Sequence, residues 1–222
     1  MIDEPLSIKA WSPRNYGGEY LGPVTLTEAL ARSVNTVAVR VARRAGLGQV
    51  RETARALGVA SPLAPGPAVA LGTSEATLLE TTGVYASLAS GGLRATPYGI
   101  LRVSLRGEEA APLMAHGAET RPRAVSSRTA AQLGGMMQEV IRSGTGRRAA
   151  LPEGRPAAGK TGTTQAARDA WFVGFTADYV AGVWMGYDDN TPLTGVTGGG
   201  LPAAVWRETM IGVHADLPVR PL

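Results

Sequence analysis

Two spacings of apolar residues succeed one another along this chain, the helical one first. Residues 1–24 show neither spacing: Pro, Gly and aromatic side chains follow each other without a period, as in an extended surface segment. Thr25-Leu-Thr-Glu28 then has the form of a capping box, with Thr25 covering an orphan N–H and Glu28 reaching back, and predicts a short helix through Arg32. Val34, Val37, Ala38, Val41 and Ala42 fall on one face of a second helix that stops at Gly46. Ser33 and Asn35 therefore stand at a junction between helices. A third helix over 49–57 ends at Gly58, and Pro-rich 61–67 reads as a loop. Thr77-Leu-Leu-Glu80 repeats the capping box and opens a helix that turns Leu78, Leu79, Thr82, Tyr85, Ala86 and Ala89 inward before Gly91-Gly92.

The period then shortens. Leu101, Val103 and Leu105 alternate with Arg102, Ser104 and Arg106, as in a half-exposed strand, and a polar connector runs to about Val125. A helix over 126–143 places Ala130, Leu133, Met137, Val140 and Ile141 on one side and ends at Gly144-Thr-Gly146. Three apolar or β-branched runs follow, 157–164, 170–176 and 179–187, the last two joined by the short turn Ala177-Asp178 as an antiparallel hairpin. Pro202 starts a final helix with Val205, Trp206, Thr209 and Met210 as its stripe. Helices first and an antiparallel sheet last predict one α+β domain, a sheet flanked by helices.

Composition narrows the chemistry. In 222 residues there is no cysteine and there are two histidines, His116 and His214, so no metal site and no thiol nucleophile is expected. Both histidines read as surface or packing residues, and no cofactor is called for. No apolar run reaches the about 18 to 20 residues of a spanning helix, and the opening residues lack the basic and apolar regions of a signal peptide. The net charge of +4 comes from dispersed arginines, and with 5 % aromatic residues no nucleic-acid platform is expected. Only two cations are lysines, Lys9 and Lys160.

Lys160 satisfies two motifs. Gly154-Arg-Pro-Ala-Ala-Gly159-Lys160-Thr161 matches the phosphate-cradling P-loop letter for letter, although that loop needs a buried strand before it and a helix after it. The same lysine heads Lys160-Thr-Gly162, followed by Thr163. On an edge strand this run is expected to present an ammonium and two hydroxyls on one face, while Gly162 leaves room for an incoming backbone. Ser33-Val-Asn35 offers a hydroxyl and an amide, and a serine hydroxyl near a desolvated lysine can relay protons. Asp188-Asp189-Asn190 reads as a turn after a strand.

Taken together, these motifs resemble the transpeptidase domain of bifunctional (class A) penicillin-binding proteins. Ser33-Val-Asn35 stands where that family has Ser-x-Asn, and Lys160-Thr-Gly162 where it has Lys-Thr-Gly. Trp11-Ser-Pro-Arg-Asn15-Tyr, Leu71-Gly-Thr-Ser-Glu75, Gly144-Thr-Gly146, Arg168-Asp-Ala-Trp-Phe-Val-Gly174 and Gly198-Gly-Gly-Leu-Pro202 follow the family in order. The resemblance implies the penicillin-binding, serine β-lactamase-like fold and acyl transfer from the D-Ala-D-Ala end of a peptidoglycan stem peptide, with β-lactams as mimics. It implies that Ser33 joins the proton relay, Asn35 orients the substrate amide and Lys160 tunes the relay. Thr161 and Thr163 would bind the donor carboxylate beside Gly162, and the Thr163 N–H would supply half of an oxyanion hole.

The family's nucleophile lies in Ser-x-x-Lys, and that motif is not in these 222 residues: Leu6 precedes Lys9 by three and Ala157 precedes Lys160 by three. The expectation is a partial domain over 1–222, incomplete at its N-terminus and inactive alone, whose partners would be the upstream part of the domain or, through uncovered edges, a second copy. An extracytoplasmic location follows from the family. A non-catalytic binding module of the same fold and a P-loop nucleotide-binding protein are the alternatives.

Overall fold

The computed structural model describes residues 1–107, 111–116 and 121–222. The chain opens with β1 (Ile2–Asp3) and β2 (Gly22–Pro23), which pair with each other. Helices α1 (Leu26–Ala31), α2 (Asn35–Ala45), α3 (Leu47–Leu57) and α4 (Leu78–Ala89) follow. After the two-residue strands β3 (Arg102–Val103) and β4 (Met114–Ala115) come α5 (Ser127–Arg142), the sheet β5 (Ala158–Thr163), β6 (Asp169–Phe175) and β7 (Val180–Gly186), and α6 (Leu201–Val213). The fold is α+β. The sheet has the order β5-β6-β7 and is antiparallel throughout, so β5 and β7 are its two edges among the described residues.

Alternation along the strands divides the core between the sheet faces. Ala158 and Phe175 pack with Leu57 of α3, Leu88 of α4 and Met137 of α5. On the opposite face Phe172 joins Ala203, Trp206 and Met210 of α6. There the Phe172 and Trp206 rings meet edge-on at 5.2 Å, and the buried indole N–H donates to the Ala181 carbonyl at 3.1 Å. Helix α5 runs beside β5 and also against α1, which ties the Lys-Thr-Gly strand to the first helix pair.

Several expectations change in detail. Thr25 caps α1 by accepting from the Glu28 N–H, but the Glu28 carboxylate pairs with Arg32 at 3.2 Å and does not reach back; the box closes in full only at Thr77 and Glu80. In α2 the stripe includes Val39, fully buried, whereas Val41 is 36 % exposed, because the 67–71 turn, the neighbouring helices and the N-terminal segment cover more than one helical face. Leu79 and Val205 likewise face outward. The strand expected around 101–105 is only a two-residue pairing with Leu101 and Leu105 exposed. The expected connector conceals β4 and falls partly on 108–110 and 117–120, outside the described residues. The largest departure concerns residues 1–24, which are not wholly superficial: Asp3 is buried within them.

His214 is a packing residue. Its Nδ1 donates to the Met210 carbonyl, its Nε2 bonds the Thr176 hydroxyl at 2.8 Å, and Tyr179 covers the ring. His116 stacks on Tyr98. Asp189 accepts from the Thr191 N–H in the expected turn.

Candidate functional site

Ser33 lies between α1 and α2 with φ +57°, a left-handed conformation that costs a non-glycine residue about 1–3 kcal/mol. Its N–H still bonds the Leu30 carbonyl at 3.1 Å, so the chain closes α1 and turns abruptly into α2. That turn aims the hydroxyl at β5. The Lys160 Nζ donates to Ser33 Oγ at 2.8 Å and to the Thr161 carbonyl at 3.1 Å. Residues 127 apart in sequence thus meet directly.

Both partners of the ammonium are neutral oxygens, and no carboxylate among the described residues pairs with it. Burial therefore acts unopposed and pulls the Lys160 amine from its ordinary 10.5 down to about 8. Near neutrality about a tenth of such amines would be unprotonated, and a neutral amine can accept a proton where an ammonium can donate one. The pair can pass a proton in either direction.

The other residues divide. Asn35, the first residue of α2, donates through Nδ2 to the Arg14 carbonyl at 2.8 Å. Lys160 and Gly162 share a sheet face with their cross-strand partners Val173 and Trp171, whereas Thr161 and Thr163 are level with Phe172 and Ala170 on the other. The ammonium and the two hydroxyls do not share a face, which corrects the expectation: neighbouring residues on a strand alternate, so Lys160 and Thr161 can meet a common ligand only around the free edge of β5. The Thr163 hydroxyl accepts from the Gly198 N–H at 3.0 Å. The Thr161 hydroxyl is 2.7 Å from that of Thr145.

Thr145 is a neighbour that sequence reasoning left without a role. Its N–H bonds the Ala31 carbonyl at 3.0 Å, and a Cβ on Gly144 would collide with that same carbonyl oxygen, so only glycine lets the end of α5 approach α1 this closely. The signal in the sequence was Gly144-Thr-Gly146, legible as a helix stop but not as a strap.

The P-loop is not formed. Lys160 and Thr161 lie inside β5, and the chain leaves that strand through a single 3-10 turn, Gln165–Ala167, into β6, with no α-helix there whose N-terminus could hold a phosphate.

Comparison with known proteins points elsewhere. Residues 2–210 match the model of the penicillin binding protein transpeptidase domain. Penicillin-binding protein 1A of Neisseria meningitidis is 35 % identical over 221 residues, covering 94 % of this chain and 27 % of the relative. That of Pseudomonas aeruginosa is 31 % identical over 270 residues, covering 100 % of this chain and 33 % of the relative. The chain thus spans about a third or less of the curated relatives it matches. Among solved structures, penicillin-binding protein 1A from Haemophilus influenzae superposes with a TM-score of 0.90 at 26 % identity, over 100 % of this chain and 40 % of that one. The PonA1 protein from Mycobacterium tuberculosis, in complex with penicillin V, gives 0.88 at 27 % identity, over 98 % and 64 %.

The lowered amine has a consequence for stability. Below pH 8 Lys160 is charged in folded and unfolded chains alike and the full cost of its burial is felt. Between about 8 and 10 the unfolded chain still holds the proton while the folded one releases it, so stability rises with pH. Above the ordinary tyrosine value of 10 the gain is opposed, because desolvation of the partly buried Tyr85 raises its pKa. Thermal unfolding across pH 7–10 should show this rise in the wild type and lose it in Lys160→Met, which should be more stable at pH 7 by about 1–3 kcal/mol. An unchanged profile in Lys160→Met would contradict the assignment.

Proposed function

The chain belongs to the penicillin-binding protein transpeptidase family, and on that premise we propose that it forms the Ser-x-Asn and Lys-Thr-Gly side of a D,D-transpeptidase centre that cross-links peptidoglycan stem peptides. The observation that carries the proposal is the 2.8 Å contact between Lys160 Nζ and Ser33 Oγ. The rest of the site fits around it.

In the reaction a serine Oγ attacks the carbonyl carbon of the donor's D-Ala-D-Ala bond, the C–N bond breaks and the terminal D-Ala leaves as an amine. An amine of a second stem then attacks the ester and releases the serine. Ser33 delivers the proton that the departing nitrogen takes up, and Lys160 sets how readily it does so. Asn35 orients the donor amide. The Thr161 and Thr163 hydroxyls, reached around the edge of β5, receive the donor carboxylate, and the Thr163 N–H faces the carbonyl oxygen as it becomes an oxyanion. β-Lactams occupy the same place. The substrate chemistry assigns the site to the extracytoplasmic side of the membrane; no helix among the described residues is long and apolar enough to cross one.

Acyl transfer needs a nucleophile from Ser-x-x-Lys, which these 222 residues do not contain. Recognition and acylation are therefore separable. Titrating the isotopically labelled chain with an acyl-D-Ala-D-Ala peptide should perturb Lys160, Thr161, Thr163, Ser33 and Asn35, while mass spectrometry after exposure to penicillin should find no adduct. Resonances that stay still at millimolar peptide would refute recognition, and a stoichiometric adduct on any serine would refute the assignment of the nucleophile.

The outer edge of β7 supports a second partner, another copy of this chain. Val180–Gly186 contains no proline and no charge, and its free edge pairs with no strand among the described residues. Such an edge recruits another strand. We expect the isolated chain to self-associate with increasing concentration in sedimentation velocity; a monodisperse monomer over the whole range would remove this expectation.

A further inference from the structure

Helix α2 begins without a cap of its own. Its N-cap residue is Val34, whose side chain can accept nothing, yet the orphan N–H groups of the first turn need partners. The N–H of Thr36 donates instead to Asn15 Oδ1 at 3.2 Å, from a residue 21 positions earlier. The neighbouring carbonyl, that of Arg14, accepts from Asn35 Nδ2. The first two residues of α2 are thus both tied to Arg14 and Asn15.

Asn15 is in turn oriented by Asp3. Its Nδ2 donates to both Asp3 oxygens, at 2.8 and 3.0 Å, which turns its own oxygen toward the Thr36 N–H. Asp3 is 1 % exposed and also accepts from the Leu21 N–H at 2.8 Å and from the Thr36 hydroxyl. A carboxylate so deeply placed is tolerable only with its lone pairs filled. Burial on its own would raise its pKa, but the bonds from Thr36, Asn15 and Leu21, with the field of Arg40, together hold it below the ordinary 3.8. It is ionised at neutral pH. Pairing of β1 with β2, Asp3 opposite Gly22, brings the carboxylate to this point.

We propose that Asp3 and Asn15 form a positioning clamp that caps α2 from outside the helix and so holds the Ser33–Asn35 junction opposite Lys160. The transpeptidase reading enters only in what that junction does. The clamp answers a mechanical need. Ser33 is the left-handed residue of a Schellman turn, its own N–H on the Leu30 carbonyl and that of Val34 on the Ala29 carbonyl at 2.8 Å, so α1 fixes the turn itself; the direction in which α2 leaves that turn is fixed only if the first turn of α2 is also tied down. Neither Asp3 nor Asn15 touches Lys160 or Ser33 by a hydrogen bond, so both act through the helix start and are positioning residues.

The test uses the chain itself, with two readouts that general destabilisation would not move: the titration midpoint of the Lys160 amine and the side-chain amide resonance of Asn35, both by NMR. Asn15→Ala removes the bonds to Asp3, to the Glu19 carbonyl and from the Thr36 N–H together, and Thr36→Val removes the hydroxyl on Asp3 at nearly constant shape. Each should move the Lys160 midpoint upward from about 8 toward 10, as water reaches the amine, and shift the Asn35 amide. Thr36→Ser, which keeps the hydroxyl, should restore both. A folded Asn15→Ala chain in which midpoint and amide are unchanged overturns the proposal, whatever its melting temperature. Should Thr36→Val fail to fold, Asn15→Ala, at a partly exposed residue, decides alone. Neither readout involves substrate, so a failure to recognise acyl-D-Ala-D-Ala would count against the transpeptidase reading and leave this result standing.

Discussion

A half-buried ammonium whose hydrogen-bond partners among the described residues are two neutral oxygens imposes conditions on everything nearby. Lys160 gives up hydration that a Ser33 hydroxyl and a Thr161 carbonyl replace only in part, and its amine titrates near 8 for that reason. Such a group stays half-buried only if its surroundings are stiffer than the drive to expose it. The stiffness comes from the two sides at once. β5 is held by six paired positions along β6, and the α1–α2 junction is held by the elements that flank it.

Those flanking elements explain why the contact survives although its partners are 127 residues apart. The end of α5 touches both sides: Thr145 bonds the last residue of α1 through its backbone and Thr161 of β5 through its hydroxyl. Gly144 allows the approach by lacking a Cβ. From the other direction the N-terminal segment fixes the start of α2. Strain at Ser33 is then distributed over a strap and a clamp, as expected where a fold holds an unfavourable backbone for the sake of a side chain's direction.

Much of this was legible in the sequence, and the division has a physical cause. Periodicity and punctuation are local, so α2 to α6 and the sheet strands fell close to their predicted spans, and Gly46 and Gly58 closed their helices as expected. Ser33, Asn35 and Lys160 were legible as candidates because residue type and spacing were enough to match two family motifs. The burial of Asp3 was not, since an acid next to Glu4 in a Pro- and Gly-rich segment carries no periodic signal and its partners Thr36 and Leu21 are chosen by tertiary structure. The hydroxyl array was misread for a different reason. Counting two residues apart correctly paired Thr161 with Thr163, but Lys160 precedes them by an odd number and belongs to the other face. The short β3–β4 pairing failed because alternation marks a strand only when one face has something to cover it.

The account stands or falls on energetic coupling between Ser33 and Lys160, since proximity alone would give a polar neighbour without a shared proton. A double-mutant cycle built from Ser33→Ala, Lys160→Met and the double variant, measured by thermal unfolding at pH 7, isolates that coupling. The left-handed strain at residue 33 and the general cost of burying residue 160 cancel around the cycle. The account predicts an interaction energy of about 0.5–3 kcal/mol, as for residues in direct hydrogen-bonded contact. Effects that add to within about 0.3–0.5 kcal/mol would contradict it.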